Sequence, residues 1–151
     1  MNNIEIKIKI LEHNKEKKKP FYATEGAAGM DLSACIDEDI VINPMERALI
    51  PTGIAIKLPS ADYGAFIFAR SGLSVKKGLC LANGVGVVDS DYTGEIIVGL
   101  INLGNEPFVV KNGERVAQLV ILPVAIASFC EVDELDQTER GAGGFGSTGV
   151  N

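Results

Sequence analysis

Short apolar runs separated by turn-forming residues fill most of the 151-residue chain and constrain its fold more than any other feature. The first run, Ile4 to Ile10, alternates apolar and charged residues with the period of two expected of a half-buried strand. The later runs are Ile40 to Ile42, Arg47 to Ile50, Gly53 to Leu58, Ala65 to Ala69, Gly84 to Val88, Glu95 to Leu103, Phe108 to Lys111, Arg115 to Leu122 and Ala125 to Val132. Turn formers such as Asn43-Pro44, Pro51-Thr52-Gly53 and Asn112-Gly113 lie between them. Many short strands at regular spacing predict an all-β sandwich, jelly roll or barrel.

One stretch is typical of a helix. Ser71 to Lys77 can form one or two turns, with Ser71 as the N-cap and Gly78 as the end. No repeat or linker divides residues 1–139, which we expect to form one β-rich domain. Residues 140–151 are rich in glycine and lack apolar periodicity, so by themselves they predict a mobile tail.

Charge and hydropathy exclude several classes of partner. The formal net charge of -6 argues against a nucleic-acid partner, which normally requires a basic face. The alternating start is unlike the continuous apolar core of a signal peptide. The stretch from Val116 to Phe129 is interrupted by Gln118 and Pro123 before it reaches the length of a spanning helix. We therefore expect a cytoplasmic protein that binds neither nucleic acid nor membrane.

The chain has few histidine and cysteine side chains that could take part in catalysis. Cys35, Cys80 and Cys130 have no paired spacing, so we expect small buried thiols in a reducing compartment. His13 is the only histidine and lies beside a lysine-rich run, which predicts plain solvent exposure. Any catalysis must therefore use carboxylates, a bound ion or backbone groups.

The glycine-rich end has the most unusual composition in the chain. Its glycines allow backbone N–H groups to converge, and Arg140, Ser147 and Thr148 add donors that suit phosphate oxygens. Gly141, Gly143 and Gly146 match the dinucleotide fingerprint, but that motif needs a helix after it, and the printed chain continues for only five residues. A disordered tail is the alternative, although such a tail has little use for a phenyl ring.

Two polar loops each have a structural and a functional interpretation. The segment from Asp89 to Gly94 is either a polar hairpin turn or a loop that holds a carboxylate able to take a proton from water. Asn83-Gly84 is either a turn dipeptide or an amide that offers both a donor and an acceptor to the edge of a base.

Three further segments do not by themselves decide between a structural and a functional interpretation. Arg70-Ser71-Gly72 is either an ordinary helix start or an anion site at a helix N-terminus. Gln118 lies among apolar neighbours, where a buried and satisfied amide is the default. Asp31 lies between small and apolar residues and alone predicts nothing.

Five of these segments together resemble the five motifs of the trimeric dUTPases. They are Gly29-Met30-Asp31-Leu32, Arg70-Ser71-Gly72-Leu73, Asn83 to Gly94, Gly113 to Leu119 and Arg140 to Gly149. They occur in the family's order and extend from about residue 26 to the end of the chain. The last motif is highly specific, and the order and identity of all five leave little room for coincidence.

The resemblance implies a jelly-roll-like fold of the β-clip kind and a homotrimer with active sites shared between subunits. It implies hydrolysis of dUTP to dUMP and pyrophosphate, which keeps uracil out of DNA and supplies dUMP for dTMP synthesis. The tail over residues 140–151 becomes a lid that orders on the substrate. The rivals are a dCTP deaminase, or a bifunctional enzyme, of the same fold, and a non-catalytic trimer that binds dUTP for regulation.

The resemblance also implies a role for each matching residue. Asp89 is the general base that activates a water for in-line attack on the α-phosphorus, and Gln118 helps to place that water. Asn83 reads the uracil edge, while Tyr92 packs under the deoxyribose and excludes a 2′-hydroxyl. The other residues implied at the nucleoside are Gly86, Val87, Val88, Ile97 and Phe145. Those implied at the phosphates or in the closing segment are Arg70, Ser71, Gly72, Arg140, Gly146, Ser147 and Thr148.

The implied cofactor is Mg2+. An acidic protein that binds a tetraanionic triphosphate needs a cation, and Mg2+ bridging the phosphate oxygens supplies it. Asp31 resembles the carboxylate that holds this ion through its water shell, not as a direct ligand.

Overall fold

The computed structural model of the protein describes residues 3–144. These residues form eleven strands and one helix: β1 Lys7–Ile10, β2 Phe21–Tyr22, β3 Met30–Ser33, β4 Ile40–Ile42, β5 Arg47–Lys57, β6 Tyr63–Ala69, α1 Ser71–Lys77, β7 Leu79–Leu81, β8 Gly86–Val88, β9 Glu95–Asn102, β10 Phe108–Val110 and β11 Arg115–Pro123. The all-β prediction is confirmed.

The strands pair antiparallel in three sheets. One sheet has the order β1-β5-β9-β7, a second has the order β2-β3-β11-β6-β8, and β10 pairs with β4 in a small third sheet. Inward side chains of both larger sheets, such as Ile54, Leu100, Ile67 and Leu119, form one hydrophobic cluster. A single core shared by two antiparallel sheets is the layered arrangement expected of a jelly-roll-like domain.

Strand β9 illustrates why these residues form strands. Ile96, Val98 and Leu100 are buried, whereas Ile97 between them is exposed. This alternation matches the period of two that the sequence predicts for Glu95 to Leu103. It gives β9 one face in the core and another face that is available to a ligand or a partner.

The predicted turn at Pro51-Thr52-Gly53 is wrong, because β5 passes through it without reversing. The register between β5 and β9 shifts between Pro51 and Ala55, which marks an irregularity of the kind made by a β-bulge. Gly53 has a φ of +67°, and a Cβ there would lie 2.6 Å from the Cβ of Asn14. A glycine in this conformation lets the strand bulge and continue. The two strands predicted on either side of Pro51-Thr52-Gly53 are therefore one strand, β5.

The predicted strand from Ala125 to Val132 is also wrong within residues 3–144. This segment has no regular secondary structure, and every residue from 125 to 140 is exposed. Its apolar side chains include Ile126, 82% exposed, and Phe129, 99% exposed. A strand pattern needs a neighbouring strand to complete its backbone hydrogen bonds, and none is paired with this segment among residues 3–144.

The predicted helix is confirmed, with a correction to its start. The N-cap is Arg70, not Ser71, and it makes no side-chain cap bond. The end at Gly78 is as predicted, with a φ of +73°. Any Cβ at Gly78 would lie 2.4 Å from the backbone nitrogen of Gly104, so the position requires glycine on both counts. Among residues 3–144, no helix has the length and apolar character that crossing a membrane requires.

Candidate active site

Seven of the residues predicted at the nucleoside and the attacking water line one cleft. The cleft has a volume of about 240 Å³ and opens between β8 of one large sheet and β9 of the other. The seven are Asn83, Gly86, Val87, Val88, Asp89, Tyr92 and Ile97. Its size is below the roughly 300–1,000 Å³ typical of small-molecule sites, so it suits part of a nucleotide.

Asp89 is one of the residues that line this cleft. It follows β8 directly and begins a turn in which the Tyr92 N–H donates to the Asp89 carbonyl at 3.2 Å. The Lys57 Nζ donates to the Ser90 carbonyl at 2.9 Å and ties the turn to the end of β5. Asp89 itself is exposed. A rigid strand thus presents a carboxylate to water, as a general base requires.

Tyr92 stands beside the cleft in a fixed orientation. Its hydroxyl donates to the Glu95 carbonyl at 2.9 Å. Gly94 leaves room for the ring, since a Cβ there would lie 2.5 Å from the Tyr92 Oη and 2.6 Å from Cζ. A side chain at position 94 would therefore displace the tyrosine from the cleft.

At Asn83 the cleft is bounded by a tight turn, which is followed by a close strand contact. The Val85 N–H donates to the Asn83 carbonyl at 2.8 Å, and Gly84 has a φ of +73°, as the turn interpretation of this dipeptide predicts. A Cβ on Gly86 would lie 3.0 Å from the Ile67 Cβ. The glycine allows β8 to approach β6 closely and leaves the Asn83 side chain exposed beside the cleft.

A second group of predicted residues lies outside the cleft, where β3, β11 and β6 meet. The Asp31 carboxylate, only 2% exposed, accepts from the Arg70 Nε at 3.0 Å and from the Arg115 Nη1 at 2.9 Å. The Arg70 Nη1 also donates to the Arg115 carbonyl at 3.0 Å. The Gln118 Nε2 lies 3.5 Å from the Asp31 Oδ1, because Gln118 stands opposite Asp31 in the strand register.

This network carries net positive charge. Two guanidinium groups share the single carboxylate of Asp31, and both arginines retain partial exposure. Such a pair suits phosphate oxygens, to which arginine donates in a fixed fork. Arg115 was not predicted as a site residue. Its only sequence signal is a charge at the start of a strand, and its partner lies 84 residues away.

Asp31 does not fit the role of a direct metal ligand. Both of its oxygens already accept from arginines, and residues 3–144 contain no group of three or more His, Cys, Asp or Glu side chains that could hold a metal ion. An ion bound here would need most of its ligands from elsewhere. The water-mediated contact implied by the family resemblance stays a prediction.

The other predicted phosphate-binding residues are distributed along the chain. Ser71 and Gly72 are exposed at the start of α1. Arg140 is exposed, and its Nε donates to the Gly143 carbonyl at 2.9 Å. Phe145, Gly146, Ser147 and Thr148 lie outside the described residues.

Within one chain, Asp89 and Arg70 are held apart by β6. Val88 pairs with Ala65 near the start of β6, and Asp89 is the next residue. Arg70 follows Ala69 at the other end of that strand. At about 3.3 Å per residue, the two ends are roughly 15–20 Å apart. One protomer therefore does not bring both side chains to the same phosphorus atom.

His13 is exposed, as predicted, whereas the expectation of a buried thiol is wrong for Cys130. The His13 Nε2 lies 2.9 Å from the Glu95 Oε1, so the histidine is not simply solvated. Cys130 is exposed, whereas Cys35 and Cys80 are partly buried. Burial raises the pKa of the Cys35 thiol, and the nearby charge of Glu95 raises it further, so this thiol stays protonated at neutral pH.

Comparison with known proteins gives one consistent result. The dUTPase family model matches residues 15–149. The chain is 60% identical over 151 residues to a deoxyuridine 5′-triphosphate nucleotidohydrolase of Desulfitobacterium hafniense, covering 100% of both chains. It is 52% identical over 147 residues to the enzyme of the same name from Neisseria meningitidis serogroup C, covering 97% of this chain and 98% of the relative.

A solved structure agrees with the sequence relatives. The dUTPase of Staphylococcus bacteriophage 80alpha with dUPNHPP superposes with a TM-score of 0.82 at 29% identity, covering 97% of this chain and 99% of that one. The predicted jelly-roll-like fold is thereby confirmed. The chain belongs to the dUTPase family.

Proposed function

We propose that this protein hydrolyses dUTP to dUMP and pyrophosphate, with Asp89 as the general base. The observation that carries the proposal is the convergence of Asp89, Tyr92 and Asn83 on one cleft of nucleoside size. Relatives that share half or more of their residues with this chain are named for the same reaction. The activity would remove dUTP before DNA synthesis and provide dUMP.

The cleft offers separate surfaces for the base and for the sugar. Asn83 offers an amide donor and acceptor at the turn, which complement the edge of uracil. Tyr92 and Ile97 provide an aromatic and an aliphatic surface for the deoxyribose. A ribose would bring a 2′-hydroxyl against the fixed tyrosine ring, so steric exclusion favours the deoxy sugar.

The chemical step uses the exposed carboxylate of Asp89. A water positioned between Asp89 and the α-phosphorus loses its proton to the carboxylate as its oxygen attacks in line. The bond between the α-phosphorus and the bridging oxygen of the β-phosphate breaks, and pyrophosphate leaves with the electron pair. Gln118 would help to hold the attacking water, and most of the rate enhancement comes from position and electrostatics.

The phosphates would be held by the arginine network and the closing segment. Arg70, oriented by Asp31, donates to the α- and β-phosphates together with Ser71 and Gly72. Arg140 and the segment that follows it close over the γ-phosphate. Mg2+ bound with the triphosphate would supply charge neutralisation. Asp31, whose oxygens retain lone pairs, would hold the ion through its water shell.

The active site would be assembled from several chains of a homotrimer. The separation of Asp89 from Arg70 along β6 supports this arrangement, because both groups must reach one phosphate. The exposed apolar segment from Ala125 to Val132 also supports it, since such a surface normally lies against a partner. Each subunit would then give its cleft to one site and its arginine network to another.

A substrate panel tests the reaction. With Mg2+, dUTP is expected to yield pyrophosphate and dUMP, whereas dCTP, dTTP and UTP react at least about 100-fold more slowly, because the cleft is built for one base edge and one sugar. Removing Mg2+ with a chelator should suppress turnover. The measurement is pyrophosphate release, with ammonia release followed in parallel. Ammonia from dCTP would replace the proposal with a deaminase, and binding of dUTP without pyrophosphate release would exclude catalysis.

The trimer has a separate test. Replacing Ile126 and Phe129 with aspartate puts charge on the exposed apolar segment and is expected to lower the mass measured by light scattering from three subunits towards one, with hydrolysis falling in parallel. Val75→Asp is the control, because Val75 is as exposed as Ile126, at 83% against 82%, but lies on α1. A stable single subunit that still cleaves dUTP would contradict the shared site.

A further inference from the structure

Glu95 links the cleft to the opposite side of β9. Its backbone carbonyl accepts from the Tyr92 hydroxyl at 2.9 Å. Its side chain points to β5, where the Oε1 accepts from the Gly53 N–H at 2.7 Å. The same oxygen lies 2.9 Å from the His13 Nε2. One residue thus joins the sugar-facing tyrosine to two segments that do not line the cleft.

The bulge in β5 makes the Gly53 N–H available to Glu95. Between Pro51 and Ala55 the register with β9 shifts, so the Gly53 N–H is not used in regular pairing with β9. Glu95 supplies the missing acceptor, and the neighbouring Thr52 hydroxyl donates to the Ile96 carbonyl. Two adjacent bonds therefore fix the first residues of β9 against the bulge. A buried backbone N–H without a partner is costly, so this arrangement holds the start of β9 in place.

His13 also restrains the Glu95 carboxylate. It belongs to a loop that is itself anchored, since the buried Asn14 donates to the carbonyls of Lys18 and Gly53. The Glu95 side chain is therefore held by the bulge and by this loop together. Its backbone carbonyl, the acceptor for Tyr92, has correspondingly little freedom to move.

We propose that Glu95 is a positioning residue that sets sugar selectivity by fixing the Tyr92 ring. This inference rests on the proposed function, in which Tyr92 packs against the deoxyribose. The absence of a side chain at Gly94 leaves room for the Tyr92 ring, and the hydrogen bond to the Glu95 carbonyl fixes the position of the Tyr92 hydroxyl. A ring fixed through its hydroxyl rejects a 2′-hydroxyl, whereas a ring that can tilt makes room for it.

The test compares the Kd values of non-hydrolysable imido analogues of dUTP and UTP by calorimetry. Glu95→Ala is expected to lower the UTP-to-dUTP ratio of Kd values by about 10-fold, the scale of one lost hydrogen bond. Tyr92→Phe removes only the hydroxyl and should lower the ratio similarly. The double variant should lose no more than either single variant, since both break one linkage. Glu95→Gln keeps an acceptor for Gly53 and should retain most of the selectivity.

The control is Glu46→Ala. The Glu46 Oε2 also accepts from a backbone N–H, that of Asn43 at 3.1 Å, but in a turn near the other end of β9. This variant should keep the wild-type ratio. If Glu95 were purely structural, Glu95→Ala would lower only the unfolding temperature. The ratio of Kd values for the UTP and dUTP analogues instead reports the position of the Tyr92 ring.

Three results would overturn the inference: an unchanged ratio in Tyr92→Phe, an unchanged ratio in folded Glu95→Ala, or additive losses in the double variant. Tyr92→Phe decides the question even if Glu95→Ala fails to fold. Binding does not depend on turnover, so these outcomes are distinct from failure of the proposed reaction. That failure would appear as wild-type protein that binds the dUTP analogue but releases no pyrophosphate from dUTP.

Discussion

Asp89→Asn is expected to lower kcat for dUTP hydrolysis by about 100- to 10,000-fold, the usual contribution of a general base. The amide has nearly the shape of the carboxylate but cannot accept the proton of the attacking water. The exposed position of Asp89 after β8 means that the substitution leaves no buried group without a partner. The Kd for a non-hydrolysable dUTP analogue should therefore change little. Single-turnover kinetics and calorimetry measure the two quantities separately.

The matched control for this variant is Asp39→Asn, which removes the same charge from an exposed acidic turn. It should hydrolyse dUTP at close to the wild-type rate. An unchanged kcat in Asp89→Asn would exclude Asp89 as the base. Equal losses in both variants would show that net charge, and not proton transfer, controls the rate.

Truncation after Glu139 is expected to leave a folded protein whose kcat/KM for dUTP falls by at least about 100-fold, the scale of losing one preorganised donor to the transition state. The truncation removes Arg140, which is exposed, together with Ser147 and Thr148. The core keeps all its strands, so circular dichroism and the unfolding temperature should be preserved. Steady-state kinetics give the loss of activity.

Truncation after Gly149 is the control, because it removes only Val150 and Asn151 and retains the whole motif. It should keep most of the activity. Full activity in the chain that ends at Glu139 would mean that the glycine-rich segment takes no part in catalysis. Loss of the folded state would show instead that residues 140–151 stabilise the domain.

The sequence predicts most of the long strands, because alternation along one strand is a local property. Glu95 to Leu103 and Arg115 to Leu122 are recovered within one or two residues. Strands β2, β3 and β7 are not predicted, since two to four residues establish no period. The equally short β4 is predicted only because its apolar run ends at the turn formers Asn43-Pro44. Ala125 to Val132 has a strand pattern but no strand partner among residues 3–144, so pattern alone is insufficient there.

In the candidate site, too, local features could be predicted from the sequence and long-range contacts could not. Residues close together in sequence, from Asn83 to Tyr92, lie in one cleft because a turn and a short strand bring them there. Arg115 and Glu95 were not predicted, since their contacts with Asp31, Gly53 and His13 join segments 42 to 84 residues apart. Such contacts depend on strand register and on the bulge at Gly53, neither of which can be read from a local pattern.

The placement of Asp89 and Arg70 at opposite ends of β6 has a genetic consequence for a protein that works as the proposed trimer. A chain that lacks Asp89 would still lend its arginines to a neighbour's cleft, and a chain that lacks Arg70 would still lend its base. Two inactive alleles, one at each position, would therefore complement each other when expressed together. Two alleles at the same position would not.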